Sequence, residues 1–117
     1  MSKIPETIPD KATLYRNIPP KHILTDDKIM PISFSRYDMS TDWDEHSTPE
    51  ESLQRHDIKY QGGIVGLGVS DIKSKIQNQI IKHTPSRRNP AHTDVLGEKD
   101  NEIRLAFCRI AKWIIEP

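Results

Sequence analysis

Three short segments hold the side chains whose types and spacing suggest a reactive site: Tyr15-Arg16, His22 with Asp26, and His92 with Asp94. An arginine supplies a cation for an anionic group, and histidine exchanges protons near neutral pH. We therefore interpret Arg16, His22 and His92 as candidate catalytic residues, with Tyr15 and Asp94 as candidate binding residues. In the alternative interpretation each segment serves its own loop, and the ion pairs of Arg16 are surface contacts worth at most about 1 kcal/mol.

A basic stretch, residues 82–89, contains the adjacent Arg87 and Arg88. Arginines on a loop can contact phosphates, so these two are candidate binding residues for a nucleic acid or a phosphate group. The chain carries 17 basic and 17 acidic residues, a formal charge of zero, which does not favour a large electrostatic footprint on nucleic acid. An ordinary solvated loop is the competing interpretation.

Metal, thiol and hydroxyl chemistry find little support in the pattern. His92-x-Asp94 on a strand would direct both side chains to one face, a geometry compatible with a metal or a general base, but no third ligand is identified. Cys108 falls within a predicted core helix, where thiols are usually inert. Ser33 and Ser35 lack the strand-turn-helix setting of a reactive serine. We therefore predict no metal and no cofactor.

Composition and length limit the class of protein. At 117 residues the chain fits one small domain, and 34% apolar content with zero net charge favours a folded domain with polar loops. One cysteine excludes an intrachain disulfide, and no run of residues has the length and apolar character of a membrane span. The first ten residues lack the apolar segment of a secretory signal, so a cytoplasmic location without membrane association is expected.

The strands and helices predicted around these residues indicate an α+β fold. We expect a small sheet of short, partly antiparallel strands packed on a C-terminal amphipathic helix. Residues 1–11 are expected to form a flexible N-terminal arm, and residues 12–117 a single domain. Strands are predicted at 12–18, 61–69 and 90–96, and an extended segment at 29–34. Residues 38–47 are predicted as a loop. Residues 77–83 fit either a strand or the end of a helical segment.

Two helices have clear start signals. Thr48, Pro49 and Glu51 match a capping box with proline at the first helical position, which predicts a short helix to about His56. Asp100 is a candidate cap for a final helix to about Ile115. Its apolar residues recur at helical spacing: Ile103, Ala106, Phe107, Ile110, Trp113 and Ile114.

Four segments, taken in order, resemble a family of short, uncharacterised bacterial proteins: Leu14-Tyr15-Arg16, His22-Ile23-Leu24, Ser47-Thr48-Pro49-Glu50-Glu51 and Asn89-Pro90-Ala91-His92. This resemblance implies a bacterial cytosolic protein and no particular activity. A weaker similarity is to compact ADP-ribosyltransferase-like domains, in which Arg16, Ser33 and Glu98 would take the early-strand, later-strand and late acidic positions.

The function expected from these observations is that of a small bacterial accessory or interaction domain that acts with a partner protein. The alternative is a compact ADP-ribosyltransferase-like or other small transferase that uses Arg16, His22 and His92, and a second alternative is phosphate contact through Arg87 and Arg88. An interaction domain predicts an exposed apolar patch and no deep polar pocket. An enzyme predicts a cleft that holds Arg16, His22 and His92 together.

Overall fold

An antiparallel sheet with helices around it makes up the protein, which therefore has an α+β fold; the computed structural model describes residues 4–117. Within that range there are six strands: β1 (Thr13–Ile18), β2 (Asp38–Trp43), β3 (Gly63–Gly68), β4 (Ile80–His83), β5 (His92–Leu96) and β6 (Lys112–Ile115). They lie in the order β4-β5-β2-β1-β3-β6, and each neighbouring pair is antiparallel. Three α-helices accompany them: α1 (Pro49–Gln54), α2 (Val69–Lys75) and α3 (Asn101–Ile110).

The core lies on one face of this sheet because strand side chains alternate between faces. Leu14 and Ile18 of β1 are fully buried, and Met39 of β2 joins them. Phe107 of α3 stacks on Phe34, with ring centroids 5.8 Å apart. The final helix is thus attached to the core through its apolar side, and Tyr15, Ser40, Asp42 and His92 project from the opposite face of the sheet.

Residues 38–47 do not form the predicted loop, because residues 38–43 are β2, an inner strand between β5 and β1. Met39, Thr41 and Trp43 are buried on the core side, and Ser40 and Asp42 alternate with them. The segment is polar overall, but its core-facing and outward-facing residues alternate with a period of two. Pairing with five residues of β5 supplies the backbone hydrogen bonds that make it a strand.

The predicted extended segment at 29–34 is also wrong in its second half, where Pro31–Phe34 form a short 3-10 helix. Pro31 stands at the first turn of that helix, where a missing N–H costs nothing and the fixed φ of proline fits. This turn buries Ser33 and Phe34 against the core.

The final helix ends at Ile110 rather than near Ile115. Ala111 has extended backbone angles, and Lys112–Ile115 pair with β3 as the outer strand β6. Trp113 and Ile114 fit a helical period by position alone, so periodicity could not separate the two structures. The free edge of β3 decides, because it offers backbone partners to a segment rich in β-branched residues. In the ambiguous segment 77–83, residues 80–83 likewise become β4 through pairing with β5, and residues 77–79 form the turn before it.

The capping box at Thr48 is confirmed, and so are the strands near 12–18, 61–69 and 90–96. Glu51 N–H donates to Thr48 Oγ1 over 3.1 Å, and Thr48 N–H donates to Glu51 Oε1 over 2.9 Å. Two helix donors are satisfied reciprocally by residues three apart, which explains why this start is readable from sequence.

The predicted N-terminal arm begins outside the described residues and then contacts the rest of the protein. Ile8 is buried, and Lys73 Nζ of α2 donates to Asp10 Oδ1 over 2.6 Å. Ser70 N–H donates to the carbonyl oxygen of Asp10. The division into an arm and a domain at residue 12 stays a prediction. None of the helices within residues 4–117 has the length and apolar character needed to cross a membrane.

Candidate functional site

A cleft opens where β1 and β2 separate. β1 pairs with β3 at six positions, whereas β1 and β2 pair at Leu14↔Trp43 and Tyr15↔Asp42 and then diverge. Arg16 Nη1 donates to the carbonyl oxygen of Ser40 over 2.8 Å. The arginine side chain thereby satisfies a β2 carbonyl that the pairing with β1 no longer reaches.

The resulting cavity has a volume of about 190 Å³ and is lined by polar side chains from several elements. Tyr15 of β1, Ser40 and Asp42 of β2, and His92 of β5 lie on the sheet side. They share one face because Tyr15 opposes Asp42 and Asp42 opposes His92 in the sheet register. Arg16 alternates with Tyr15 and reaches the cavity because the strands part beside it.

Helix α1 and the residues after it form the opposite wall. Arg55 Nη1 lies 2.8 Å from Asp42 Oδ2 and also donates to Ser47 Oγ. Asn89 Nδ2 donates to the other carboxylate oxygen of Asp42 over 2.8 Å. Asp42 is almost fully buried, so these two contacts compensate its charge and tie α1 and the 84–91 loop to β2.

Arg16 is a cation held by backbone carbonyls. Its Nε and Nη2 donate to the carbonyl oxygen of Ser33 over 3.0 and 2.8 Å, in addition to the Nη1 bond to Ser40. Among the described residues no carboxylate lies within ion-pair distance of it. Burial, assisted by the charge of Arg36, lowers the pKa of Arg16 to about 10, so the guanidinium stays charged at neutral pH.

The formal charge of the cavity wall is therefore positive. Arg16 and Arg55 contribute two positive charges against the one negative charge of Asp42. Partial desolvation lowers the pKa of His56; the charge of Asp42 acts in the opposite direction, and those of Arg16 and Arg55 lower it further. His56 is accordingly neutral at pH 7.

His22 lies behind Arg16 rather than on the cavity wall. Its Nδ1 is 2.7 Å from Ser33 Oγ, and Ser33 is the residue whose carbonyl binds Arg16. Desolvation lowers the pKa of His22, and the charges of Lys21 and Arg16 add to that effect. The structure thus brings Tyr15, Arg16 and His92 to one cleft and connects His22 to it through buried Ser33.

His92 sits in a chain of hydrogen bonds. Its Nε2 is 3.1 Å from Ser40 Oγ, and its Nδ1 is 2.8 Å from Thr84 Oγ1. Thr84 Oγ1 is also 3.3 Å from Asp94 Oδ2. Asp94, a predicted binding residue, therefore stands behind His92 and does not line the cavity itself.

The other predicted residues are not gathered here. Arg87 and Arg88 are exposed in the loop between β4 and β5, and their contact with phosphate stays a prediction. Ser33 is buried under Arg16, and Glu98 is exposed and absent from the cavity lining. The trio Arg16, Ser33 and Glu98, which the weaker resemblance suggested, does not meet in this cleft.

Sequence reasoning missed the residues that complete the wall: Ser40, Asp42, Arg55, His56 and Asn89. A usable signal existed for the first two, because they alternate with Met39, Thr41 and Trp43. Arg55 and His56 follow a helix start that was correctly predicted. The place of that helix on the cavity wall, however, depends on tertiary contacts.

Within residues 4–117 no group of three or more histidine, cysteine or acidic side chains is arranged to hold a metal ion. Comparison of the chain with protein-family models, with curated proteins and with solved structures finds no match. Any function is therefore inferred from the cleft and its chemistry.

Proposed function

We propose that the cleft between β1 and β2 binds a small anionic molecule. The observation that carries the proposal is Arg16, a partly buried guanidinium on a cavity wall without a carboxylate partner among the described residues. Withdrawing a cation from water is unfavourable unless it is hydrogen-bonded or meets an anion. Its three hydrogen bonds go to neutral carbonyls, which leave its charge uncompensated.

Several donors on the wall remain for a ligand. A guanidinium has five N–H groups, and three of those on Arg16 are used. Within the described residues the Tyr15 hydroxyl has no hydrogen-bond partner. Desolvation, with the charges of Asp44 and Glu50, raises the pKa of Tyr15, so this hydroxyl stays protonated and can donate. Arg55 donates through Nη1, which leaves its Nη2 facing no protein acceptor among these residues.

The size of the cavity restricts the ligand. A volume of 190 Å³ lies below the roughly 300–1,000 Å³ typical of pockets for drug-sized molecules. It corresponds to about six waters at the roughly 30 Å³ each occupies in the liquid. A carboxylate or phosphate group with a few attached atoms fits this space.

Titration of the protein with inorganic phosphate and with acetate, followed by amide chemical shifts, tests the proposal. We expect saturable shifts at residues 15–17, 40–42 and 55–56. Tyr15→Phe and Arg55→Lys should each weaken binding by about tenfold, because each removes or misplaces a donor to a charged acceptor. Arg109→Gln is the matched control, since Arg109 is exposed on α3 and lies outside the cleft. Shifts that do not saturate, or an equal loss in the control, would contradict the proposal.

Docking of a partner protein is a second candidate function, favoured by the two outer strands of the sheet. Ile80 on β4 is 66% exposed and Ile114 on β6 is 48% exposed. An edge strand with exposed apolar side chains can accept an extended segment of another protein as an added strand. A random-peptide display screen should yield extended apolar peptides whose binding is lost in Ile114→Lys and kept in Leu105→Lys, a helix-surface control.

We also propose the bacterial cytoplasm as the location, which the resemblance to short bacterial proteins implies. Cys108 is a free thiol, and a chain with one cysteine suits a reducing compartment.

A further inference from the structure

We infer that Ser40 and His92 form the nucleophile and general base of a hydrolytic centre on the wall of the cleft, acting on small anionic esters. The inference rests on the proposed anion binding and adds a reaction to it. A nucleophile and its base must lie within about 2.6–3.2 Å, and Ser40 Oγ and His92 Nε2 are 3.1 Å apart. Ser40 is exposed on the cleft side of β2, where a substrate can reach its hydroxyl.

The hydrogen bonds behind His92 prepare its ring for this role. Nδ1–H donates to Thr84 Oγ1 over 2.8 Å, and the Thr84 hydroxyl donates to Asp94 Oδ2 over 3.3 Å. This direction of donation leaves the Nε2 lone pair to accept the proton of Ser40. A base held in the correct tautomer by a third group is the arrangement that activates serine in unrelated hydrolases.

The sheet register explains why these groups meet. Ser40 opposes Asp94, and Asp42 opposes His92, so the four side chains rise from one face of two paired strands. Asp94 Oδ1 also lies 3.9 Å from His92 Nε2. A carboxylate at that distance stabilises the imidazolium that forms when His92 takes the proton. Thr84 and Asp94 are therefore positioning residues, and Ser40 and His92 are the reacting pair.

Arg16 supplies the charge that such a reaction needs. Its Nη1 donates to the carbonyl oxygen of Ser40 itself, so a cation stands within one residue of the nucleophile. The guanidinium attracts an anionic ester and stabilises negative charge that develops beside Ser40 in the transition state.

The reaction is balanced with water as the only co-reactant. Ser40 Oγ attacks the ester carbonyl carbon, its proton passes to His92 Nε2, and the carbon–oxygen bond to the leaving group breaks. The protonated His92 gives that proton to the departing oxygen, which leaves as an alcohol. A water molecule, deprotonated by His92, then attacks the acyl-serine; His92 returns that proton to Ser40 Oγ as the acyl–oxygen bond breaks, which releases the carboxylic acid and restores Ser40.

Labelling with an alkyl fluorophosphonate, measured by intact mass and peptide mapping, tests the inference on the full chain. In this reaction Ser40 Oγ bonds to phosphorus, fluoride leaves, and the hydroxyl proton passes to His92. We expect one adduct, on Ser40, that Ser40→Ala abolishes. His92→Asn should slow labelling by at least about 100-fold, the lower range for loss of a general base. Ser35→Ala and His46→Asn are matched controls outside the cleft and should label at the wild-type rate.

Thr84→Val provides a readout that a merely structural role would not change. Because it removes the hydroxyl that orients His92, the labelling rate should fall and its pH profile should shift, while the unfolding midpoint stays close to wild type. An absent adduct, an adduct at another serine, or wild-type labelling of His92→Asn would overturn the inference. Phosphate binding by unlabelled protein separates the two proposals: if it saturates and Ser40 does not label, the binding proposal stands and the hydrolytic one fails.

Discussion

His83 and His92 lie on neighbouring strands and have different hydrogen-bond partners: backbone groups for His83 and hydroxyl groups for His92. His83 of β4 is buried; its Nδ1 accepts from Glu6 N–H over 3.0 Å, and its Nε2 donates to the carbonyl oxygen of Pro90 over 2.8 Å. An amide can only donate and a carbonyl can only accept, so the neutral tautomer of His83 is determined by its partners. His92 of β5 bonds to two hydroxyls: its Nδ1 to that of Thr84, which itself donates to Asp94, and its Nε2 to that of Ser40 at the cleft surface.

The rings of His83 and His92 also have different surroundings. His83 belongs to a histidine cluster formed by Trp43, His46, His83 and Glu6. The rings of His46 and His83 stack at 5.7 Å, and the Trp43 ring meets both edge-on at 4.8 and 5.1 Å. His46 Nε2 lies 3.2 Å from Glu6 Oε2, so two histidines bind one residue of the N-terminal segment. His83 is thus enclosed by structural partners, whereas His92 has one ring nitrogen on a hydroxyl at the surface of the cleft.

The largest expected effect is a difference in how much His83 and His92 contribute to the free energy of unfolding. His83→Ala should lower the free energy of unfolding by about 2–4 kcal/mol, because it empties a buried site and leaves an amide and a carbonyl without partners. His92→Ala should lower it by less than about 1 kcal/mol, since the His92 side chain is 32% exposed and lies at the cleft surface. Urea unfolding at pH 7.5 measures both, and equal losses would mean that His92 is structural as well.

Arg16 is the residue of the cleft that we expect to contribute most to stability. Arg16→Met should lower the free energy of unfolding by about 2 kcal/mol, because two carbonyl oxygens lose charge-assisted hydrogen bonds. Arg36→Met removes an exposed arginine and should cost less than about 0.5 kcal/mol. Matching thermal melts for the two variants would contradict the role of Arg16 in holding the separated strands.

The wall of the cleft should be more easily loosened than the histidine cluster. Thr48→Ala removes the cap of α1 and should cost about 1 kcal/mol, within the usual range for a lost N-cap. Anion affinity should fall with it, because α1 leads directly to Arg55. Amide exchange should accelerate at residues 49–56 and stay unchanged at Glu6, whose N–H is bound by His83. Acceleration at both places would show that the two regions are not independent.

The smallest effect is a dependence on pH from His56. Its folded pKa is lowered, so the unfolded chain binds a proton more readily, and this contribution to stability is present above about pH 6.5 and declines as the pH falls below that value. The expected size is a few tenths of a kcal/mol, because the residue is solvent-exposed. His56→Gln should lose slightly less stability than the wild type between pH 7.5 and 5.5. A greater loss of stability in the variant would contradict the expected effect of His56.

Sequence reasoning succeeded where the causes are local. The α1 start depends on Thr48, Pro49 and Glu51, which lie within four residues of one another. The α3 start depends on Asp100, whose Oδ1 accepts from Ile103 N–H over 2.9 Å. Caps of this kind follow from residue type and short-range geometry, and no distant segment is needed to form them.

The errors fall where a distant segment decides. Residues 112–115 fit a helical period, and the free edge of β3, nearly fifty residues earlier, made them a strand. Residues 38–43 appeared too polar for a strand, and their place between β5 and β1 gave each face a different environment. Whether a segment forms a strand depends on the backbone partners that it finds elsewhere in the chain. A local sequence pattern does not contain that information.

The α+β class and the starts of α1 and α3 follow from local sequence, because alternation, helical spacing and caps are properties of neighbouring residues. The sequence also carried Tyr15, Arg16 and His92 as residues suited to one site. The parting of β1 and β2 after Tyr15 is a property of the tertiary structure. Because of it, Arg16 reaches two carbonyls 17 and 24 residues away and a cavity forms beside it. That separation depends on how whole strands twist and pair, and it turns six scattered polar side chains into one cleft: Tyr15, Arg16, Ser40, Asp42, Arg55 and His92.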